Sequence, residues 1–163
     1  MDGLVGRLGR FAVESMTREL PADVRRDIPG RVLDILGICV RATEESTSPV
    51  VRHFVSQQGG IGRCTAVGMG NGLPLTSAAF FNGVLAHSLD YDDVLSMMPA
   101  HPSAVILSAL MAAMDGAPVS GKDFIEAYIT GVEVGGKLGV GMTNDHYQRG
   151  YHATGTLALF SGL

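Results

Sequence analysis

The densest run of chemically capable side chains is His87-Ser88-Leu89-Asp90-Tyr91-Asp92-Asp93, followed by His101-Pro102-Ser103 and, much later, by Arg149-Gly150-Tyr151-His152-Ala153-Thr154. Histidine titrates near neutral pH, so an imidazole held by a neighbouring carboxylate can take a proton and return it. Asp90, His101 and His152 are therefore the candidate catalytic residues, for acid–base chemistry. If the chain is still helical past Ser88, His87 and Asp90 lie three apart on one face while Asp92 and Asp93 point away, so the four do not share one pocket. His101 precedes a proline, which drives its backbone toward extended conformations and lets its ring project from the mouth of the next helix into a cleft. Near His152, Arg149 offers a cation, and the helix start that follows offers free amides to an anion. Each acid could instead cap or solvate a helix end, and each histidine could be a hydrogen-bonded structural residue. His53 and His146 read as surface residues.

Other chemistries find no spacing to support them. H-E-x-x-H is absent, and the acids do not alternate as in a calcium loop, so no metal is expected. Gly68-Met69-Gly70-Asn71-Gly72 and Gly136-Lys137-Leu138-Gly139-Val140-Gly141 lack the dinucleotide-binding spacing and context. There is no P-loop, and no G-x-S-x-G nucleophile elbow. Cys39 and Cys64 form no C-x-x-C pair and read as free, buried thiols.

The elements that must position these residues are helical. Leu4, Val5, Leu8, Phe11, Ala12 and Met16 mark an amphipathic helix from Gly3 to Leu20, closed by Pro21. A second begins at Pro21-Ala22-Asp23 and runs through Val32, Leu33, Ile35, Leu36 and Val40, with a kink or restart expected at Pro29-Gly30. Thr43 to Ser48 reads as a loop ending at Pro49, and Val50 to Gln58 as a short helix closed by Gly59-Gly60. Cys64 to Val67 reads as a short extended piece before a glycine-rich turn. Leu75 to Ser88 and Ser103 to Met114 are apolar almost all round, the mark of helices enclosed by protein. Ser120 and Asp123 form a capping-box pattern for a helix through Leu138, whose glycines 131, 135, 136, 139 and 141 suit close helix-to-helix contact or fraying. Ala153 to Leu163 reads as a further helix.

Composition narrows the function. The 163 residues are 46% hydrophobic and 17% charged, with a net charge of −4 and no Lys/Arg-rich run, which removes nucleic acid as a partner. No apolar stretch approaches the roughly 20 residues of a membrane span. Met1-Asp2-Gly3-Leu4 does not resemble the start of a secretory signal, so a cytoplasmic location is expected. The apolar excess leaves surface for an interface. A single all-α domain over residues 1–163, cut off while its last helix is still apolar, is the expected architecture.

Four blocks in order carry a family resemblance: Asn82-Gly83-Val84-Leu85-Ala86-His87-Ser88-Leu89-Asp90-Tyr91-Asp92-Asp93; His101-Pro102-Ser103; Tyr128-Ile129-Thr130-Gly131-Val132-Glu133-Val134; and Tyr147-Gln148-Arg149-Gly150-Tyr151-His152-Ala153-Thr154-Gly155-Thr156. Together they resemble the MmgE/PrpD family, which includes 2-methylcitrate dehydratase, cis-aconitate decarboxylase and an iminodisuccinate epimerase. Leu33-Asp34-Ile35-Leu36-Gly37 and Arg63-Cys64-Thr65-Ala66-Val67-Gly68 look like earlier landmarks of the same family. The resemblance implies a cofactor-independent enzyme with a large helical domain and a smaller α/β lid, usually a homodimer, acting on citrate-like carboxylic acids in a cleft between the domains. On that likeness Asp90, His101 and His152 correspond to polar active-site positions; His87, Asp93, Arg149 and Thr154 are the candidate substrate-binding residues around them.

The departures from that pattern concern substrate and completeness. Against that pattern the lid and the cleft lysines are expected to be missing from these 163 residues; Lys122 and Lys137 lie outside matching motifs. Val94-Leu95-Ser96-Met97-Met98-Pro99-Ala100 is apolar where relatives often carry Thr and His. A lyase that removes water or carbon dioxide is expected, with weak or no turnover by this chain alone. A catalytically inactive helical dimerising module and a dicarboxylate isomerase or epimerase are the alternatives.

Overall fold

The computed structural model describes residues 3–142 and 144–162. Met1 and Asp2, used in reading the chain start, and Leu163, the last residue of the final expected helix, lie outside them. The described residues form an all-α fold: α1 Leu4–Ser15, α2 Ala22–Ala42, α3 Thr47–Gln58, α4 Leu75–His87, α5 Pro102–Met114, α6 Gly121–Met142, and the short α7 Asp145–Gln148 and α8 Ala153–Thr156. No described helix is long and apolar enough to cross a membrane.

The centre is α4, which packs against α2, α3 and α5. Its all-round apolar sequence is what such a position requires: Ala78, Phe81, Leu85 and Ala86 are buried, as are Ile106 and Leu107 of α5, Ile35 of α2 and Tyr128 of α6. The buried Asn82 side chain uses both its ends. It donates to Thr65 O (2.8 Å) and accepts from Val67 N–H (3.0 Å), tying a narrow turn to α4. That turn is the extended piece expected at Cys64 to Val67, paired with Leu73 by two backbone hydrogen bonds. Cys39 and Cys64 are buried free thiols, as their spacing suggested.

Several boundaries differ from expectation. α1 ends at Ser15, well before Pro21. Pro29 neither ends nor restarts α2, which is one element. The reason is packing on both sides: Ile28 and Ile35 are buried, while exposed Pro29 gives up a single backbone bond at the solvent face. The Arg31–Asp27 pair (2.6 Å) spans the same turn. α3 starts at Thr47, so Pro49 lies in its first turn, where an amide hydrogen has no helical partner anyway. The last apolar stretch divides into α8 and a 3-10 turn over Ala158–Ser161.

Half of the expected capping box of α6 forms, with Ser120 Oγ accepting from Asp123 N–H (3.1 Å), whereas Asp123 Oδ2 accepts from the Ser120 hydroxyl (2.8 Å) in place of the backbone amide. Its glycines do a different job from helix-to-helix contact alone. A Cβ at Gly135, Gly136 or Gly139 would meet Met98, Met97 or both, and one at Gly131 would meet Ser161 and Ile106. They make room for the loop that carries His101 and for the 3-10 turn.

Candidate active site

The site grows from the end of α4. His87 is the last residue of that helix, and Ser88 closes it by donating Oγ–H to Val84 O (2.5 Å). Asp90 then takes a left-handed backbone, φ 55°, a conformation aspartate tolerates better than most residues. This single residue reverses the chain. Asp92 consequently points back at His87 instead of away, and the helical extrapolation that separated the acids fails here.

Asp92 is the hub. Its side chain is wholly buried, with Oδ1 and Oδ2 lying 3.0 and 3.1 Å from His87 Nδ1. Oδ1 is also 3.3 Å from His101 Nδ1, which in turn faces the backbone oxygen of Asp92 at 3.3 Å. A carbonyl, and a carboxylate oxygen without a hydrogen, can only accept, so in its neutral form each ring is placed to carry its hydrogen on Nδ1 and its lone pair on Nε2. His101 Nε2 faces Asp90 Oδ1 at 3.5 Å, and Asp90 is largely exposed. The rings of His87 and His101 are 4.5 Å apart, those of His87 and His152 6.1 Å. Three imidazoles and two carboxylates thus meet at one place. Side-chain exposure is 32% at His87 and 14% at His101, so His101 is more enclosed than its pre-proline position suggested.

The start of α5 is clamped from two directions. His101 has φ −103° and ψ 84°, outside the helical region as the following proline requires, and its N–H donates to Thr154 Oγ1 (3.0 Å). Asp93 Oδ1 accepts from Ser103 N–H (3.2 Å), capping the helix from a distant loop, while its Oδ2 accepts from Ser103 Oγ (2.8 Å) and Arg31 (3.2 Å). Because Ser103 spends its hydroxyl hydrogen on Asp93, the 2.5 Å contact with Tyr128 has the tyrosine as donor. Burial raises the Tyr128 pKa, which keeps that donor protonated. A third anchor is the Leu95–Ala100 bridge with fully buried Met98 beneath it.

Of the residues expected at the site, His87, Asp90, His101 and His152 come together. Asp93 and Thr154 lie beside them, but Thr154 Oγ1 accepts from the His101 amide and Asp93 spends its oxygens on Ser103 and Arg31. Arg149 stands apart in its environment: it is exposed and pairs with Asp145 on α7 (2.7 Å). His53 is exposed as expected, whereas His146 is half-buried, stacked on Tyr151 at 5.0 Å and 2.7 Å from Thr156 Oγ1. Asp92 was missed as a partner of the histidines, and its signal was an Asp-Tyr-Asp-Asp run in which a turn-forming aspartate breaks the helical period.

Four of these side chains, His87, Asp90, Asp92 and His101, each offer a nitrogen or oxygen lying within 4.8 Å of the others. Linear spacing could not show this, because the set is assembled by the reversal at Asp90 and by a loop.

The chain is 27% identical over 158 residues to the cis-aconitate decarboxylase-like protein oryM of Aspergillus oryzae, covering 92% of this chain and 33% of that protein. It is 27% identical over 158 residues to the cis-aconitate decarboxylase of Aspergillus terreus, covering 93% and 32%. Against the cis-aconitate decarboxylase of Mus musculus it is 45% identical over 71 residues, 40% of this chain and 14% of the relative. The chain spans about a third of the length of the first two relatives. Residues 6–162 match the MmgE/PrpD N-terminal domain, and because that match runs over nearly the whole chain, this protein belongs to the MmgE/PrpD family.

Proposed function

We propose that this chain supplies the histidine and aspartate side of a lyase active site, acting on citrate-like di- or tricarboxylates by loss of carbon dioxide or water. The observation that carries the reading is the placing of His101 Nδ1 against Asp92, 3.3 Å from both its Oδ1 and its backbone oxygen, which favours a hydrogen on Nδ1 and a proton-accepting Nε2 facing Asp90 at 3.5 Å. His101 and His152 move the proton, and Asp90 orients the ring or the substrate. His87 stands beside both rings, Asp93 and Thr154 act through their grip on the start of α5, and Arg149 adds a cation near the His152 segment. The names of the relatives favour decarboxylation of cis-aconitate over dehydration of 2-methylcitrate.

A tricarboxylate needs several cationic partners, and this region offers few, so the 163-residue chain alone binds substrate weakly, in the millimolar range, and shows weak or no turnover. The test is NMR of the histidine ring protons with added cis-aconitate. The expected result is shifts at His87, His101 and His152 and none at exposed His53. Shifts confined to His53 and His146, or no shifts at millimolar ligand, would overturn the reading. Any turnover, followed by absorbance of the double bond, must vanish in His101→Ala and His152→Ala.

The homodimer implied by the resemblance is part of the same proposal. Leu33 and Val40, two turns apart on α2, are 71% and 61% exposed, apolar surface that a second copy would cover. Light scattering that returns a stable monomer at all concentrations counts against it.

A further inference from the structure

We propose that the His87–Asp92–His101 cluster, with Asp90 as a movable fourth arm, binds a first-row transition-metal dication, with Zn2+ as the probe. The inference goes beyond acid–base catalysis and uses the opposite face of the same rings. In a tetrahedral zinc site with bonds of about 2.0–2.1 Å, neighbouring ligand atoms sit roughly 3.3 Å apart. Here Asp92 Oδ1 is 3.0 Å from His87 Nδ1 and 3.3 Å from His101 Nδ1. These spacings match the edges of such a shell. One ligand atom from each of the four residues lies within 4.8 Å of the others, and Asp90, whose Oδ1 now faces His101 Nε2 at 3.5 Å, is the exposed residue of a turn and would have to swing toward the Nδ1 side to join the shell.

The donor set also selects the metal. Two imidazoles and two carboxylates suit Zn2+, Co2+ or Ni2+, whereas Mg2+ and Ca2+ prefer all-oxygen shells. Asp92 is wholly buried and its side chain meets two imidazoles; a dication satisfies a buried carboxylate more fully than two neutral donors do. Binding at Nδ1 forms one nitrogen–metal bond from each ring and moves each ring hydrogen from Nδ1 to Nε2. No ring hydrogen is lost, and the ring stays neutral. The lone pair on Nε2 disappears, so Zn2+ inhibits proton transfer wherever the proposed reaction runs. That last consequence rests on the proposed function; metal binding itself does not.

The experiment is a calorimetric titration of Zn2+ into the chelator-treated 163-residue chain, with Mg2+ as control. The expected result is one Zn2+ per chain and no Mg2+ heat, with affinity at least tenfold weaker in His87→Gln and in His101→Gln and unchanged in His53→Gln. Histidine NMR of the unsubstituted chain provides a readout that survives misfolding of a variant: zinc must move the hydrogens of His87 and His101 to Nε2. Absence of zinc binding, or zinc shifts at His53 or His146 only, overturns the proposal. If zinc binds while cis-aconitate shifts nothing, the metal site stands and the lyase reading falls; the reverse result removes only the metal.

Discussion

Oδ1 of Asp92 lies 3.0 Å from Nδ1 of His87, and no part of the Asp92 side chain reaches solvent. With His101 on the same carboxylate at 3.3 Å, one buried acid dictates the tautomer of two rings. Asp92→Asn replaces an oxygen that can only accept by an amide that can also donate, so at least one ring gains freedom to carry its hydrogen on Nε2. We expect nitrogen NMR to show Nδ1–H on both rings in the unsubstituted protein and a mixed population in the variant. Turnover of the proposed reaction, in kcat rather than KM, should fall on the order of 10²–10⁴-fold. Unchanged tautomers together with full turnover would remove Asp92 from the mechanism.

How far this site could be read from the chain depends on which force places each residue. Helices α4 and α5 were legible because their uninterrupted apolar runs leave no other way to avoid water, and His87 and His101 sit at their ends. The relation of Asp92 to those histidines was not, because it depends on one left-handed residue, Asp90, whose backbone choice no periodicity announces. Continuity of α2 through Pro29 was hidden for a similar reason: burial of Ile28 and Ile35 outweighs a local backbone penalty. The α6 glycines were visible, but the surface they receive, Met97 and Met98, belongs to a loop without a pattern of its own.

Pro29 supplies a direct measure of that outweighing. It is exposed within α2 and has no amide hydrogen for the carbonyl one turn earlier. Pro29→Ala restores that bond and should stabilise the fold by about 1–3 kcal/mol, read as a higher urea midpoint at unchanged slope. A lower midpoint would mean that the restriction proline imposes on the unfolded chain is the larger effect.

Cys39 predicts an alkaline weakness. Burial, with a smaller contribution from nearby Asp92, raises its pKa from 9.0 to about 11. The folded protein therefore holds this proton more tightly than the unfolded chain does. The associated stability is complete below about pH 9 and is lost as pH rises toward the folded value near 11. A shift of about two units corresponds to about 2–3 kcal/mol. Urea midpoints measured between these limits should fall more steeply in the native sequence than in Cys39→Ala, and parallel slopes would contradict the assignment. Thiol reagents should label Cys39 only after unfolding, because the buried thiol is neither accessible nor ionised at neutral pH.

Gly139 links the rear of the fold to the front of the site. A Cβ at this position would press on Met98 Cβ and would stand 2.5 Å from the Met97 carbonyl oxygen, a backbone atom that cannot swing aside. Alanine is the better helix former by about 1 kcal/mol, so on propensity alone Gly139→Ala should stabilise α6. Overpacking of about 1–3 kcal/mol opposes that gain. Met98 anchors the loop between Asp93 and His101, so relief of the clash must displace the segment whose two ends hold Asp93 against Ser103 and His101 against Asp92. We expect a lower urea midpoint together with altered His101 ring resonances, and Gly141→Ala, which has open space around its Cβ, to hold or raise the midpoint and leave the His101 resonances in place. A Gly139→Ala protein with a raised midpoint and native His101 signals would show that the loop is not braced by α6, and that the fit of Met98 against this helix is incidental to the site.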